Sequence, residues 1–143
     1  AKAKLGIRPI IDGRWAESER VLGKDDEHGA RCKKLIEENV FYSDGTPFEC
    51  IISPCTIGGA AEAAKCADFF YSERLRDPLR HPLLVATAAR RWTWIPSTIK
   101  AVWGFNGTER PGAVYLAAVM AAHNQRGLPA FSIYGHDVQD VTD

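Results

Sequence analysis

Arg8 lies inside the apolar run 5–11 (LGIRPII), where a guanidinium has few options. Burying it alone is costly, so it either pairs with a carboxylate or faces a ligand or partner surface, and the residues leave both readings open. Four further segments carry polar groups that could meet a ligand: Asp12-Gly13-Arg14, Cys55 to Gly59 (CTIGG) ahead of a helical stretch, Asn106 to Gly112 (NGTERPG), and Gly135-His136-Asp137. Glu109 and Arg110 suit a ligand rim, and equally a helix cap with a surface ion pair. His136 and Asp137 are sequence neighbours, so their side chains diverge and do not form a catalytic dyad by themselves. Gly58-Gly59 offers backbone N–H groups to an anion, but the chain has neither G-x-G-x-x-G nor G-x-x-x-x-G-K-[ST], and turn geometry is the plainer reading. No Ser-His-Asp, Cys-His or paired-carboxylate set appears at working spacing, so no catalytic residue is assigned. Cys32, Cys50, Cys55 and Cys66 form no C-x-x-C pair and have no His at a metal-ligand interval. They are expected to be reduced thiols, mostly core fillers, with no metal site in the chain. Trp103 and Tyr115 are expected in the core, and His123 is expected to face solvent or act as a late-helix cation.

These residues need a scaffold, and the apolar pattern supplies one. Runs 5–11, 48–53, 83–87, 101–105 and 130–134 read as buried strands, most of them ending in turn signals. Between them, 33–39, 59–70 and 111–125 read as helices, the last with Pro111 at its start, Thr108 or Glu109 as a cap, and Gly127 just past its end. This alternation predicts a three-layer α/β domain of Rossmann-like type, with a mostly parallel sheet and right-handed crossovers. Ligands of such sheets sit beyond the carboxyl ends of the strands, which places Asn106, Glu109 and His136 on the rim. Two tracts break the rhythm. Residues 15–31 are highly charged, and 74–97 hold three prolines and five arginines; both read as surface loops of unusual length.

The 143 residues match the size of one globular domain. Eighteen Lys and Arg balance eighteen Asp and Glu, which gives no electrostatic footprint for nucleic acid, and the apolar runs are too short to cross a bilayer. No signal segment opens the chain and its one Met is Met120, so it is expected to be a cytoplasmic protein, either trimmed or a piece of something longer.

At 6–14 (GIRPIIDGR), at 100–118 (KAVWGFNGTERPGAVYLAA) and at 127–140 (GLPAFSIYGHDVQD), the sequence resembles the amino-terminal domain of the L-fucose isomerases, also known as D-arabinose isomerases. The likeness covers about 4–14, 35–70 and 99–140. It implies a cytoplasmic, Mn2+-dependent ketol isomerase that interconverts L-fucose with L-fuculose and D-arabinose with D-ribulose. It further implies that residues 1–143 are one domain, truncated at its carboxyl end, with the metal ligands and acid–base groups in later domains. The domain is then catalytically incomplete alone, and closes the active site of a neighbouring subunit in a hexamer. By this resemblance Arg8 contacts the sugar across that interface. The alternative, from a different class, is a stand-alone α/β sugar-binding or regulatory module without catalysis.

Between the matched blocks the chain departs from the family. Where this sequence has His81 to Pro96, family members read something like Thr-Pro-Cys-Trp-Cys-Tyr-Gly-Ser-Glu-Thr-Met-Asp-Met-Asp-Pro. Codons for Thr-Pro-Cys-Trp-Cys, read one base early, give His-Pro-Leu-Leu-Val, and the rest of the tract read from a shifted base gives Thr87 to Pro96. Residues 24–30 likewise read as a shifted Lys-Thr-Met-Asn-Met-Ala. Small insertions and deletions, in the gene or its sequencing, are therefore expected to have put about 15–31 and 74–96 out of frame. Leu84 then stands where the family has a sugar-contacting Trp, and Trp92 and Trp94 arise from Met codons. An unbroken family-like frame on resequencing would mark a reading error. The printed frame, if confirmed, implies a poorly stable domain, which a cooperative thermal transition would contradict.

Overall fold

The apolar runs assemble into one parallel sheet of short strands: β1 (Leu5–Pro9), β2 (Cys50–Ile52), β3 (Leu84–Thr87), β4 (Lys100–Gly104) and β5 (Ala130–Tyr134). The computed structural model describes residues 2–10, 24–73, 84–87, 99–104 and 112–134. Helices α1 (Lys24–Asn39), α2 (Ala60–Ser72) and α3 (Gly112–Gln125) alternate with the strands, as expected of an α/β domain. The strand order is β2-β1-β3-β4-β5, the flavodoxin-like variant of a doubly wound sheet. The chain steps outward from β1 to β2 and then reverses past β1 to β3, so the reversal lies at the β1/β3 seam.

Side chains alternate across the sheet and sort into two buried layers. Leu5 and Ile7 of β1, Cys50 of β2 and Ala101 of β4 pack with Cys32 of α1, flanked by Ile36, Ile52 and Trp103. On the other face, Ile10 and Ile57 pack with Ala63, Cys66 and Phe70 of α2, while Val102 packs with Leu116 and Val119 of α3. One helix below and two above make the three layers.

The outer edge of β2 is closed by α1. Lys33 Nζ donates to the Cys50 carbonyl at 2.6 Å, and the Cys50 N–H donates to Glu37 Oε1 at 3.1 Å. Lys33 and Glu37 also pair with each other at 3.1 Å, so both edge groups of Cys50 are saturated by one i,i+4 pair. After α1 the chain turns through 41–47, where Asp44 accepts from both the backbone N–H and the hydroxyl of Thr46 and pairs with Lys2 at 2.6 Å. These partners hold the Asp44 carboxyl well below the usual carboxylate range.

Several boundaries differ from the sequence reading. Helix α1 starts at Lys24 instead of near residue 33, so part of the tract expected as a loop, 15–31, is helical. Gly29 lets it close onto the sheet: a Cβ there would meet Pro9 Cγ at 3.1 Å. Strand β2 is three residues long instead of six, and Ile10 leaves β1 to bridge Ile57.

His123 is also corrected. It is fully buried instead of solvent-facing, one turn beyond Val119 on the face of α3 that meets the sheet. Its Nδ1 lies 2.8 Å from the Val119 carbonyl, and donation of the Nδ1 proton there satisfies one ring nitrogen within the helix. Past it, His123 O accepts from Leu128 N at 3.0 Å and Asn124 O from Gly127 N at 3.1 Å, with Gly127 at φ 64°. This left-handed residue closes α3 and turns the chain into β5. Gly127→Ala is expected to cost about 1 kcal/mol, read as a fall of roughly 2–4 °C in the unfolding midpoint.

Candidate functional site

In a doubly wound sheet the crevice at the carboxyl ends of the strands flanking the reversal is the natural ligand site, and Arg8 stands there. It is the fourth residue of β1, in register with Ala86 of β3, on the face covered by α2 and α3. It is 2% exposed. Burial lowers the pKa of its guanidinium, while the thiols of Cys66 and Cys55 and the phenol of Tyr115 act in the opposite direction. An arginine stays protonated through any such shift, so the crevice floor carries a fixed positive charge.

The wall beside Arg8 is built by the turn from β2 into α2. Ser53 N–H donates to the Ile7 carbonyl at 2.8 Å, and Ile57 N–H to the Pro9 carbonyl at 3.0 Å, so the turn is laced to β1 on both sides of Arg8. Ser53 Oγ donates to the Cys55 carbonyl at 2.7 Å, and Cys55 Sγ lies 3.7 Å from the Glu62 carbonyl of α2. Gly59 caps α2 in extended backbone with no side-chain bond, and Ala63 N–H returns to its carbonyl at 3.2 Å. This gives Gly58-Gly59 an ordinary turn role.

The cysteines fill space, as expected: Cys32, Cys50 and Cys66 are buried and Cys55 is half-buried, all as free thiols. Burial pushes Cys32 up to about 12 and Cys50 up to about 11. Burial also raises Cys66, against the opposing influence of Ser53 and Arg8. Burial therefore lowers both the accessibility and the thiolate fraction of these three. In native protein at neutral pH, Cys55 is expected to react with maleimide well before the other three; peptide mapping of the adduct measures this.

The arrangement can bind and orient an anionic or hydroxyl-rich group above Arg8. Among the described residues it has no nucleophile–base pair, and no cluster of three His, Cys, Asp or Glu that could hold a metal ion. Asn106, Glu109 and His136, together with Asp12, Gly13 and Arg14, lie outside the described residues. Trp103 and Tyr115 pack against the core, as expected. The neighbourhood of Arg8 formed by Ser53, Cys66 and Tyr115 was not recognised in the sequence. The signal was strand parity, since Arg8 shares the face of Ile10 with α2. Lys100, fully buried at the start of β4, was missed as well. Its burial lowers the ammonium pKa. It sits at the amino end of the sheet, away from the crevice, which makes it a structural group.

Comparison with known proteins gives the geometry a context. The L-fucose isomerase, first N-terminal domain, family matches residues 2–143. An L-fucose isomerase of Clostridium perfringens is 45% identical over 150 aligned positions, one of Phocaeicola vulgatus 48% over 141, and one of Escherichia coli O1:K1 46% over 148. Each alignment takes in 98% of this chain and 24% of the relative, so the chain spans about a quarter of the length of the relatives it matches.

Proposed function

The chain belongs to the L-fucose isomerase first N-terminal domain family, and from that premise we propose that it is the opening domain of a ketol isomerase acting on L-fucose and D-arabinose. In that reaction a proton moves from C2 to C1 of the sugar and another from O2 to O1, through an ene-diol. The observation that carries the reading is the family match over residues 2–143, with Arg8 buried at the carboxyl end of β1.

Arg8 supplies a rigid fork of donors suited to sugar hydroxyls, offered to the active site of a neighbouring subunit in a hexamer. Asn106, Glu109 and His136 are secondary candidates for the same rim. The reaction is proposed to use Mn2+, which would polarise the sugar oxygens; the described residues offer no donor set for it, so the ion is assigned to later domains. The domain is therefore proposed to be inactive by itself, and the enzyme to work in the cytoplasm. No helix among the described residues is long and apolar enough to cross a membrane.

The test is an isomerase assay of the longer gene product and of residues 1–143 side by side, with added Mn2+. L-fuculose formation from L-fucose is expected from the longer protein only. Turnover by residues 1–143 alone would overturn the domain assignment, and a longer protein inert towards both sugars would overturn the activity.

A further inference from the structure

Two of the four cysteines converge from different elements on the wall of the crevice. Cys55 lies in the turn that leaves β2, and Cys66 lies on the buried face of α2. The Ser53 hydroxyl joins them: its Oγ stands 4.0 Å from Cys55 Sγ, and it also hydrogen-bonds the Cys66 thiol. A second contact repeats the convergence. Cys55 Sγ lies 3.7 Å from the Glu62 carbonyl, the oxygen that accepts from Cys66 N–H in the ladder of an α-helix. Helix side chains lean toward the amino terminus, so the Cys66 sulfur leans over that same turn.

The two thiols differ in what reaches them. Cys55 is half-buried and open to a small solute, whereas Cys66 is 1% exposed and meets only its neighbours. Cys55 belongs to a turn, outside any helix or strand, which leaves it the freedom to close a bridge. Arg8 stands beside the pair, and its positive charge acts on Cys66 against the effect of burial. A cation next to a thiol favours the thiolate, the form that attacks. An outer thiol that meets an oxidant and an inner one that closes on it are the two parts of a resolving pair. Cys32 and Cys50 have no share in it, because they pack on the opposite face of the sheet.

We propose that Cys55 and Cys66 form a reversible oxidation site for hydroperoxides, closing across Ser53 to an intramolecular disulfide in the crevice wall beside Arg8. The Cys55 thiolate attacks one peroxide oxygen and the O–O bond breaks. With hydrogen peroxide the departing hydroxide takes up the thiol's proton and leaves as water, and Cys55 becomes a sulfenic acid. The Cys66 sulfur then attacks the Cys55 sulfur, the S–O bond breaks, and the hydroxyl leaves with the Cys66 proton as a second water. Two thiols thus lose two electrons and two protons, and one hydrogen peroxide becomes two waters. The proposal stands on the thiol geometry and not on the sugar the enzyme takes.

Peptide mapping without reduction reads the bridge directly. The longer protein is treated with hydrogen peroxide for increasing times, and its remaining thiols are alkylated before digestion. A peptide pair linked through Cys55 and Cys66 is expected, forming at least about 10-fold faster than any other cysteine oxidation and disappearing on addition of dithiothreitol. Cys66→Ser is expected to abolish the linked pair and to let dimedone trap a sulfenic acid at Cys55; Cys55→Ser is expected to leave Cys66 reduced. Far-UV circular dichroism checks the fold of both variants, and the map of the unaltered protein decides the question even where a variant unfolds. Sulfenic or sulfinic acid at Cys55 with Cys66 still reduced in the unaltered protein would overturn the pairing, as would a bridge between the Cys55 residues of two chains. Oxidation of Cys32 or Cys50 as fast as that of Cys55, or no oxidation of Cys55, would remove the site.

Discussion

Arg8→Met in the longer enzyme is expected to lower kcat/KM for L-fucose by about 10–100-fold, and its unfolding midpoint is read alongside. The size follows from the contact proposed. Hydrogen bonds from a charged donor contribute about 1.5–3 kcal/mol, which converts to roughly one to two orders of magnitude when lost at the transition state. The stability arm separates the two roles open to a guanidinium that is 2% exposed. An arginine held by a buried carboxylate within its own domain leaves that partner uncompensated when replaced, at a cost of about 3–5 kcal/mol. An arginine whose charge serves a ligand loses more kcat/KM, when replaced, than any fall in midpoint accounts for. Arg8→Lys keeps the charge but loses the fork, and is expected to recover only part of the activity. A large fall in midpoint with kcat/KM per folded enzyme intact would move Arg8 from the substrate to the core.

How much of this was legible in the sequence depended on how local the signal was. Helix α3 and strand β5 could be read directly, because Pro111, Gly127 and the run from Ala130 to Tyr134 mark their own ends. Helix α1 was cut short because the charged tract before Cys32 shows no apolar stripe, although acids at an amino terminus are what a helix prefers. His123 was expected in solvent or as a late-helix cation; it does lie in the last turn, but composition cannot show that it is buried with Val119 O satisfying its Nδ1. The site was half legible. Arg8 stood out as a charge in an apolar run, but its neighbours arrive from β2, α2 and α3, and their meeting depends on a strand order that no spacing encodes. Strand β3 adds a different lesson. Leu84 to Thr87 lie in the tract expected to be out of frame, yet they take their register between β1 and β4. Ladder hydrogen bonds ask only for residues compatible with extended backbone, so a strand can form in a tract whose composition reads as a loop.

Gly104→Ala is expected to destabilise the domain by about 1–3 kcal/mol and to lower the unfolding midpoint by several degrees. Gly104 ends β4 directly beneath the first turns of α3. A Cβ there would stand 2.9 Å from Leu116 Cβ, 3.0 Å from Leu116 Cδ2 and 3.1 Å from the Gly112 carbonyl oxygen. Only the second of these can move by rotating a side chain. The other two belong to the helix itself, so α3 must lift from β4, loosening Leu116 and Val119 from the fully buried Val102. Because Asn106 and Glu109 lie between β4 and α3 in the chain, the same displacement is expected to reduce activity in the longer enzyme. Leu116→Ala distinguishes a helix shift from simple crowding, since alanine removes Cδ2 and keeps the Cβ that makes the shortest contact. The double variant is therefore expected to melt below either single one, as measured by circular dichroism. Recovery toward the Gly104 midpoint would show instead that the clash resides in the leucine tip and that α3 holds its place.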